Sequence, residues 1–450
     1  MHSPGNAVFH RDLNKSYPII DRGEGSYLID IDGRKYLDAS SGAVAANLGH
    51  SNPEIAKAIY EQAIKVGFVH SMRFETEVLH ELSEMIVSMA PENLDRVYYT
   101  SGGSEANESA LKLARQIHRD KGKAGKFINI GRWQSYHGNT MGSLSVGGDV
   151  TRRFPYMPLL NKTEHVDSPY YTHADSETQI HEENMRCLEQ LKRKVKELGD
   201  ESISALIIEP IIGSQQGGVV PTKEYLQGVR KICDEHDIIF IVDEVMTGFY
   251  RTGKPFAVQH FDVVPDIITF GKGVSAGYAP LGGMIVHNRL TEELLQYSNG
   301  KFIHGYTYSG HPISVAAGLA TLKKYQSLNI QQLCNKNSDI LVNRLKEIRA
   351  NSTIMGSIRG KGLLLGVELL KNAVQTELFD PSFQASQKLN NYAMELGAIF
   401  YPGSGAIDGE RGEHLIIAPP LNSTEEELDM LLQVFEQSIQ KLEIEILQTN

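Results

Sequence analysis

The sequence predicts an α/β protein: one large domain with a mostly parallel sheet covered by helices, and a smaller α+β domain built from both ends of the chain. Three observations carry this reading. First, the middle of the chain alternates helix-periodic stretches with short apolar runs, "RVYYT", "KFINI", "ISALIIEP", "IIFIVDEV", "DIITFGKG" and "GGMIVH". Runs without polar alternation suit strands buried on both faces, as in a parallel sheet between helices. Second, "GSYLIDIDGRKYLDAS" near the start alternates apolar and polar residues around the turn signal Asp32-Gly33, the pattern of short hairpin strands. Third, from about residue 330 the pattern changes to amphipathic helices with a few strands, ending in "STEEELDMLLQVFEQSIQKLEIEIL". The expected boundaries are 1–75 for the N-terminal segment of the small domain, 76–325 for the large domain and 326–450 for the rest of the small one.

Between these anchors each element follows from local pattern. "NPEIAKAIYEQAIKV" and "FETEVLHELSEMIVSMA" repeat apolar residues at helical spacing. "GGSEANESALKLARQIHRD" reads as a helix directly after the strand "RVYYT". Residues 161–200 are more polar and read as a loop followed by a charged helix, "ENMRCLEQLKRKVKEL". No internal repeat or low-complexity linker interrupts the chain.

Composition narrows the function. With 450 residues, 41% hydrophobic and 22% charged, the chain can bury a large core. Its net charge of −11, with no long block of either sign, argues against nucleic acid or an anionic membrane as the main partner. The three cysteines, Cys187, Cys233 and Cys334, are scattered and unpaired in sequence, which fits a reducing compartment and no structural metal. "MHSPGNAVFHRDLNK" has no apolar signal core, and no run approaches the roughly 20 apolar residues of a membrane span. A cytoplasmic location is therefore expected.

The stretch "IIFIVDEVMTGFYRTGK" raises the chemical question, because an apolar strand ends in two adjacent carboxylates, Asp243 and Glu244. They would suit a metal site for a nucleotide, an acid/base pair, or a counter-ion for a cationic cofactor. The nucleotide reading needs a Gly-rich phosphate loop ending Gly-Lys-Ser/Thr upstream. The nearest match, "GFYRTGKP", lies downstream and has Pro255 where the hydroxyl belongs.

A better phosphate loop is "YYTSGGSEANESALKLAR", where Gly102 and Gly103 permit a tight turn into a helix starting near Ser104. Amides at a helix N-terminus, helped by the helix dipole, hold phosphate well. The same residues also suit an ordinary helix cap. Lys272 follows Thr-Phe-Gly at another strand end, flanked by Gly271 and Gly273. Most lysines are solvated surface groups. A lysine at a strand's C-terminal edge, with small neighbours, is instead placed where α/β sheets build their sites. Its amine forms imines when burial or a neighbour lowers its pKa. Phosphate loop, carboxylate and lysine together match the needs of pyridoxal phosphate: a cradle for the phosphate, an amine for the aldehyde and an acid for the ring nitrogen. "WQSYHGNT" adds Tyr136 as an aromatic face, with His137 beside it in a role either catalytic or structural.

At these residues the chain resembles the class III aminotransferases of the pyridoxal-phosphate fold type I group over nearly its whole length. The resemblance rests on "GSEANESALKLAR", "SYHGNT", "IIEPI", "VDEVMTGFYRTG", "PDIITFGKG", "PLGG" and "TYSGHP", in the family's order. It implies that Gly103 and Ser104 bind phosphate, that Tyr136 stacks on the ring, and that Val245 packs on its other face. It further implies Asp243 at the pyridine nitrogen, Lys272 as the Schiff-base residue, and His137 and Glu209 near the cofactor. Thr307 resembles a threonine that reaches the phosphate of a neighbouring subunit, so a homodimer is implied. Glu244 is expected to hold nearby backbone or Arg251.

The resemblance implies transfer of an amino group from an amine or amino acid to a keto acid of the pyruvate or 2-oxoglutarate type. Another pyridoxal-phosphate reaction on the same fold, such as an aminomutase, racemase or lyase, is the alternative. For the substrate the signals are thinner. Relatives acting on acetylornithine or ornithine carry an arginine where "GEHLIIAPPL" places Ile416. Arg411 is near the region of the mobile arginine of ω-transaminases, though its spacing differs; it is either a carboxylate binder or a solvated loop residue. The small residues Ser41 and Gly42 resemble the part of the family that lines the substrate pocket.

Overall fold

The computed structural model describes residues 7–172 and 176–449. Strands β1 (Ile20–Glu24), β2 (Tyr27–Asp30) and β3 (Lys35–Asp38) form the N-terminal meander. The β2–β3 turn closes at Gly33, whose φ of 81° suits glycine and whose N–H donates to the Asp30 carbonyl. The large sheet takes β4 (Leu94–Thr100), β5 (Ile128–Arg132), β6 (Thr163–Val166) and β7 (Ile203–Ile208). It continues with β8 (Ile239–Asp243), β9 (Ile267–Phe270) and β10 (Gly282–His287). In space these seven run β4-β10-β9-β8-β7-β5-β6. Only β10 runs antiparallel to its neighbours β4 and β9.

Every residue of β7, β8 and β9 is buried, as the unbroken apolar runs predict. Alternate side chains serve two cores. Ile239 and Ile241 of β8 pack with Ala110, Leu113 and Ile117 of the helix Gly103–Asp120. Phe240 and Val242 point the other way, into the cluster containing Leu226 and Val229 of the helix Lys223–Glu235. Each such fully buried side chain contributes roughly 1.5–3 kcal/mol. The result is a rigid slab whose strand ends can hold side chains in fixed positions.

Two smaller sheets flank it. The short strand β13 (Ala398–Ile399) pairs parallel with β3, so residues from both ends of the chain share one sheet. Strands β11 (Met355–Lys361), β12 (Leu364–Leu369), β14 (Tyr401–Ser404) and β15 (Glu413–Ile417) form an antiparallel sheet ordered β11-β12-β15-β14. The C-terminal helix Glu425–Thr449 packs on the helices Ile330–Ala350 and Ala385–Leu396.

One expectation needs correction. Residues 161–200, read as a loop and a charged helix, also contain the edge strand β6, which pairs parallel with β5. Its sequence, Thr-Glu-His-Val, buries only Val166, so it lacks the apolar run that marks the central strands. The helix begins at Glu177, capped by the Ser176 side chain, earlier than its charged core suggested. Among the described residues, no helix is long and apolar enough to cross a membrane.

Candidate active site

A cleft of about 450 Å³ opens at the C-terminal ends of β8 and β9, where the helix Gly103–Asp120 begins. Gly103, Ser104, Tyr136, His137, Glu209, Asp243, Val245 and Lys272 all line it, although they are spread over much of the sequence. Strand ends in open α/β sheets are where ligands collect.

Asp243, the last residue of β8, is buried and held from three sides. Its Oδ2 accepts from Asn107 Nδ2 at 2.7 Å and pairs with His137 Nδ1 at 2.8 Å. Its Oδ1 accepts from the Val245 backbone N–H at 3.0 Å. Asn107 is itself oriented by Thr269 Oγ1, which donates to its Oδ1 at 2.6 Å, and it donates to the His137 carbonyl. The carboxylate is thus locked in direction by β9, the helix Gly103–Asp120 and the Tyr136–His137 loop together.

Glu244 turns away from the cleft and is fully buried. It accepts from the backbone N–H groups of Ala257 at 2.9 Å and Val258 at 2.7 Å, and from the Thr247 hydroxyl. Burial raises its pKa to about 7. Of the two partners expected for it, backbone and Arg251, the backbone is the one it has. Arg251 instead donates to the carbonyls of Leu363 and Pro419, to Asn47 Oδ1 and to Ser41 Oγ.

Lys272 follows β9 with φ of 45°, a left-handed conformation unusual for a lysine. Burial lowers its amine to about 8, with Asp243 and Glu209 acting in the opposite direction. An amine in that range loses its proton readily near neutral pH, which nucleophilic and proton-carrying roles both need. Glu209 is buried, and burial raises its carboxyl above the usual range.

The helix N-terminus is shaped by close packing. A Cβ built at Gly103 would lie 2.7 Å from Val245 Cγ1, so only glycine lets Val245 sit there. A Cβ at Gly102 would meet nothing within 4 Å, because that side of the turn faces open space. The Ser101 N–H is satisfied by Glu105 Oε2 at 2.8 Å, a cap within the first turn. Ser104 Oγ accepts from the Asn139 N–H at 3.2 Å. Tyr136 stands over the cleft, half-buried, with the Arg152 guanidinium 5.1 Å from its ring centroid. Aromatic face, carboxylate, amine and helix N-terminus around one cleft of this size fit pyridoxal phosphate.

The remaining predicted residues lie elsewhere. Ser41 is fully buried and donates to the Ala418 carbonyl at 2.7 Å. It sits in the core, not on the cleft wall, and its hydroxyl also accepts from Arg251 Nη2 at 3.3 Å. Gly42 donates its N–H to Asp38 Oδ2 at 2.9 Å, and Ala45 is the residue of this segment that lines the cleft. Arg411 is exposed and paired with Asp408 at 2.6 Å. Ile416 is fully buried in β15 opposite Gly366 and Tyr401. Thr307 is exposed and lines no part of its own chain's cleft. Sequence reasoning missed Asn107, the best-placed orienting group. Its signal was a polar residue on the apolar face of a helix, between Ala106 and Ala110.

The chain matches the model of the aminotransferase class-III family over residues 9–439, and it belongs to that family. It is 35% identical to the uncharacterized aminotransferase YodT of Bacillus subtilis, over 96% of this chain and 97% of that one. It is 33% identical to the putrescine–pyruvate aminotransferase of Pseudomonas aeruginosa, over 94% and 91% of the two chains. Among solved structures, a transaminase from the marine bacterium Virgibacillus superposes with a TM-score of 0.90 at 34% identity, covering 96% of this chain and 94% of that one.

Proposed function

We propose that Lys272 holds pyridoxal phosphate and that the cleft moves an amino group from an amine or amino acid to a keto acid such as pyruvate or 2-oxoglutarate. The observation that carries this reading is the Lys272 amine and the fixed Asp243 carboxylate lining one cleft at the start of the helix Gly103–Asp120. When bound, the cofactor supplies an electron sink that stabilises charge on the carbon next to the substrate nitrogen. The chain's own residues do the rest.

Asp243, its direction fixed by Asn107 and His137, would hold the cofactor's ring nitrogen in its protonated form. The amides of Gly103 and Ser104 take the phosphate, with the helix dipole adding attraction. Tyr136 and Val245, both on the cleft wall, would pack against the ring. Lys272 would hold the cofactor through its amine, and its Nζ would carry the proton that leaves the substrate carbon. Its depressed pKa suits it to both roles.

A homodimer completes the picture. Thr307 stands in an exposed segment with Ile303 and Tyr308, whose large apolar side chains are also exposed. From there it reaches a neighbouring subunit's phosphate site. The testing experiment offers the purified protein a panel of amines with pyruvate and 2-oxoglutarate and follows keto-acid consumption. The expected result is amino transfer to at least one acceptor; no transfer from any donor, with cofactor added, would contradict it.

A further inference from the structure

The cofactor cleft holds no arginine among its lining residues; its charged groups are Glu209, Asp243 and Lys272. A keto acid nevertheless brings a carboxylate that must be held at a defined distance from Lys272. Arg411 is an unsuitable anchor, because it lines neither the cleft nor its neighbour. The neighbour is a cavity of about 460 Å³ that meets the cleft at Ser214 and is walled by Gln134, Arg152, Tyr401, Ser404 and Glu410.

Arg152 lines that cavity, with its side chain 41% exposed. Residues 147–149 pair with the chain entering Tyr136: the Gly148 N–H donates to the Ser135 carbonyl at 3.0 Å, and the Gln134 N–H donates to the Gly148 carbonyl at 3.0 Å. Gly148 is required there, since a Cβ would lie 2.0 Å from the Arg132 carbonyl oxygen. Asp149 then caps the turn that carries the arginine and accepts from Arg152 Nε at 2.7 Å. Among the described residues, Nη1 and Nη2 of Arg152 have no hydrogen-bond partner, so one edge of the planar fork is unused. The adjacent Arg153 differs, its guanidinium being consumed by the carbonyls of Leu144, Ser145 and Gly147.

The other charges around the cavity are largely spoken for. Glu413 accepts from the N–H groups of Ala385 and Ser386, Asp149 is saturated by Thr151 and Arg152, and Lys15 is exposed beside Asp12. Glu410 is exposed on the rim. A bidentate carboxylate is the ligand that the free edge of a guanidinium fits best. Resting on the aminotransferase reading, we propose that Arg152 is the carboxylate anchor that selects the acidic substrate.

The test is calorimetric titration of the holoenzyme with glutarate, a non-reacting dicarboxylate, and with glutaramide, its neutral counterpart. Wild type binds glutarate in preference to glutaramide. Arg152→Met weakens glutarate at least tenfold and leaves glutaramide unchanged, Arg152→Lys recovers part of the loss, and Arg411→Met binds as wild type. Unaltered glutarate affinity in Arg152→Met, a selective loss in Arg411→Met instead, or no preference for glutarate in wild type would each overturn the proposal. A wild type that transfers no amino group yet binds glutarate through Arg152 would sink the functional reading and leave the anchor standing.

Discussion

His137 Nδ1 lies 2.8 Å from Asp243 Oδ2, with both residues buried. The histidine and Asn107 together fix the carboxylate that the proposed chemistry relies on. Asp243→Asn should therefore lower the rate of the amine half reaction about a hundred- to a thousandfold, the usual cost of removing a preorganised charge. Asn107→Ala should cost less, about tenfold, because His137 still holds the acid. Stopped-flow absorbance on the holoenzyme measures both; equal losses would mean that Asn107 does more than orient.

Gly103→Ala should disturb the cofactor and spare the fold. The added methyl meets Val245 Cγ1 at 2.7 Å, so Val245 or the helix start must shift. Cofactor affinity is expected to fall about tenfold, roughly 1.4 kcal/mol, with the melting temperature of the cofactor-free chain nearly unchanged. Fluorescence titration with pyridoxal phosphate reads the first quantity and calorimetry the second.

Lys272 makes the cofactor-free protein's stability depend on pH. Its folded value is about 8 against an ordinary 10.5. Between these two, the unfolded chain binds the extra proton, so the lysine's contribution to stability rises with pH and its penalty is fully present below pH 8. The cofactor-free Lys272→Met chain should exceed cofactor-free wild type by up to about 3 kcal/mol at pH 7, the difference shrinking between pH 8 and 10.5. Denaturant unfolding across that range checks it; a difference independent of pH would contradict the lysine's low value.

Glu244 should matter for folding and little for turnover. Glu244→Ala leaves the Ala257 and Val258 amides buried without an acceptor, at about 2–4 kcal/mol. Glu244→Gln keeps an acceptor and should retain kcat/KM within a few fold. Unfolding measurements on the two variants, with steady-state kinetics, separate these effects.

Much of this was legible from strand ends. The apolar runs ending at Asp243 and Phe270 announced the central sheet, because burial on both faces leaves no other pattern. Lys272, Asp243 and the Gly-Gly turn stood out as polar or flexible residues at those ends. The orienting groups were not legible. Asn107 meets Asp243, and Thr269 meets Asn107, only through tertiary packing, and so does Arg152 meet Tyr136. Ser41 misled because small residues near a pocket look alike in sequence, whether they line it or, as here, donate inward to a carbonyl. β6 escaped because an edge strand needs only one buried side chain.

The role of Lys272 as the cofactor's lysine is open to direct test. The direct measurement reconstitutes the protein with pyridoxal phosphate, reduces it with borohydride, and maps the modified peptide by mass spectrometry. A single phosphopyridoxyl group on Lys272, and none on a Lys272→Ala chain, is the expected result. A label on a different lysine, or a protein that takes up no cofactor, would contradict it.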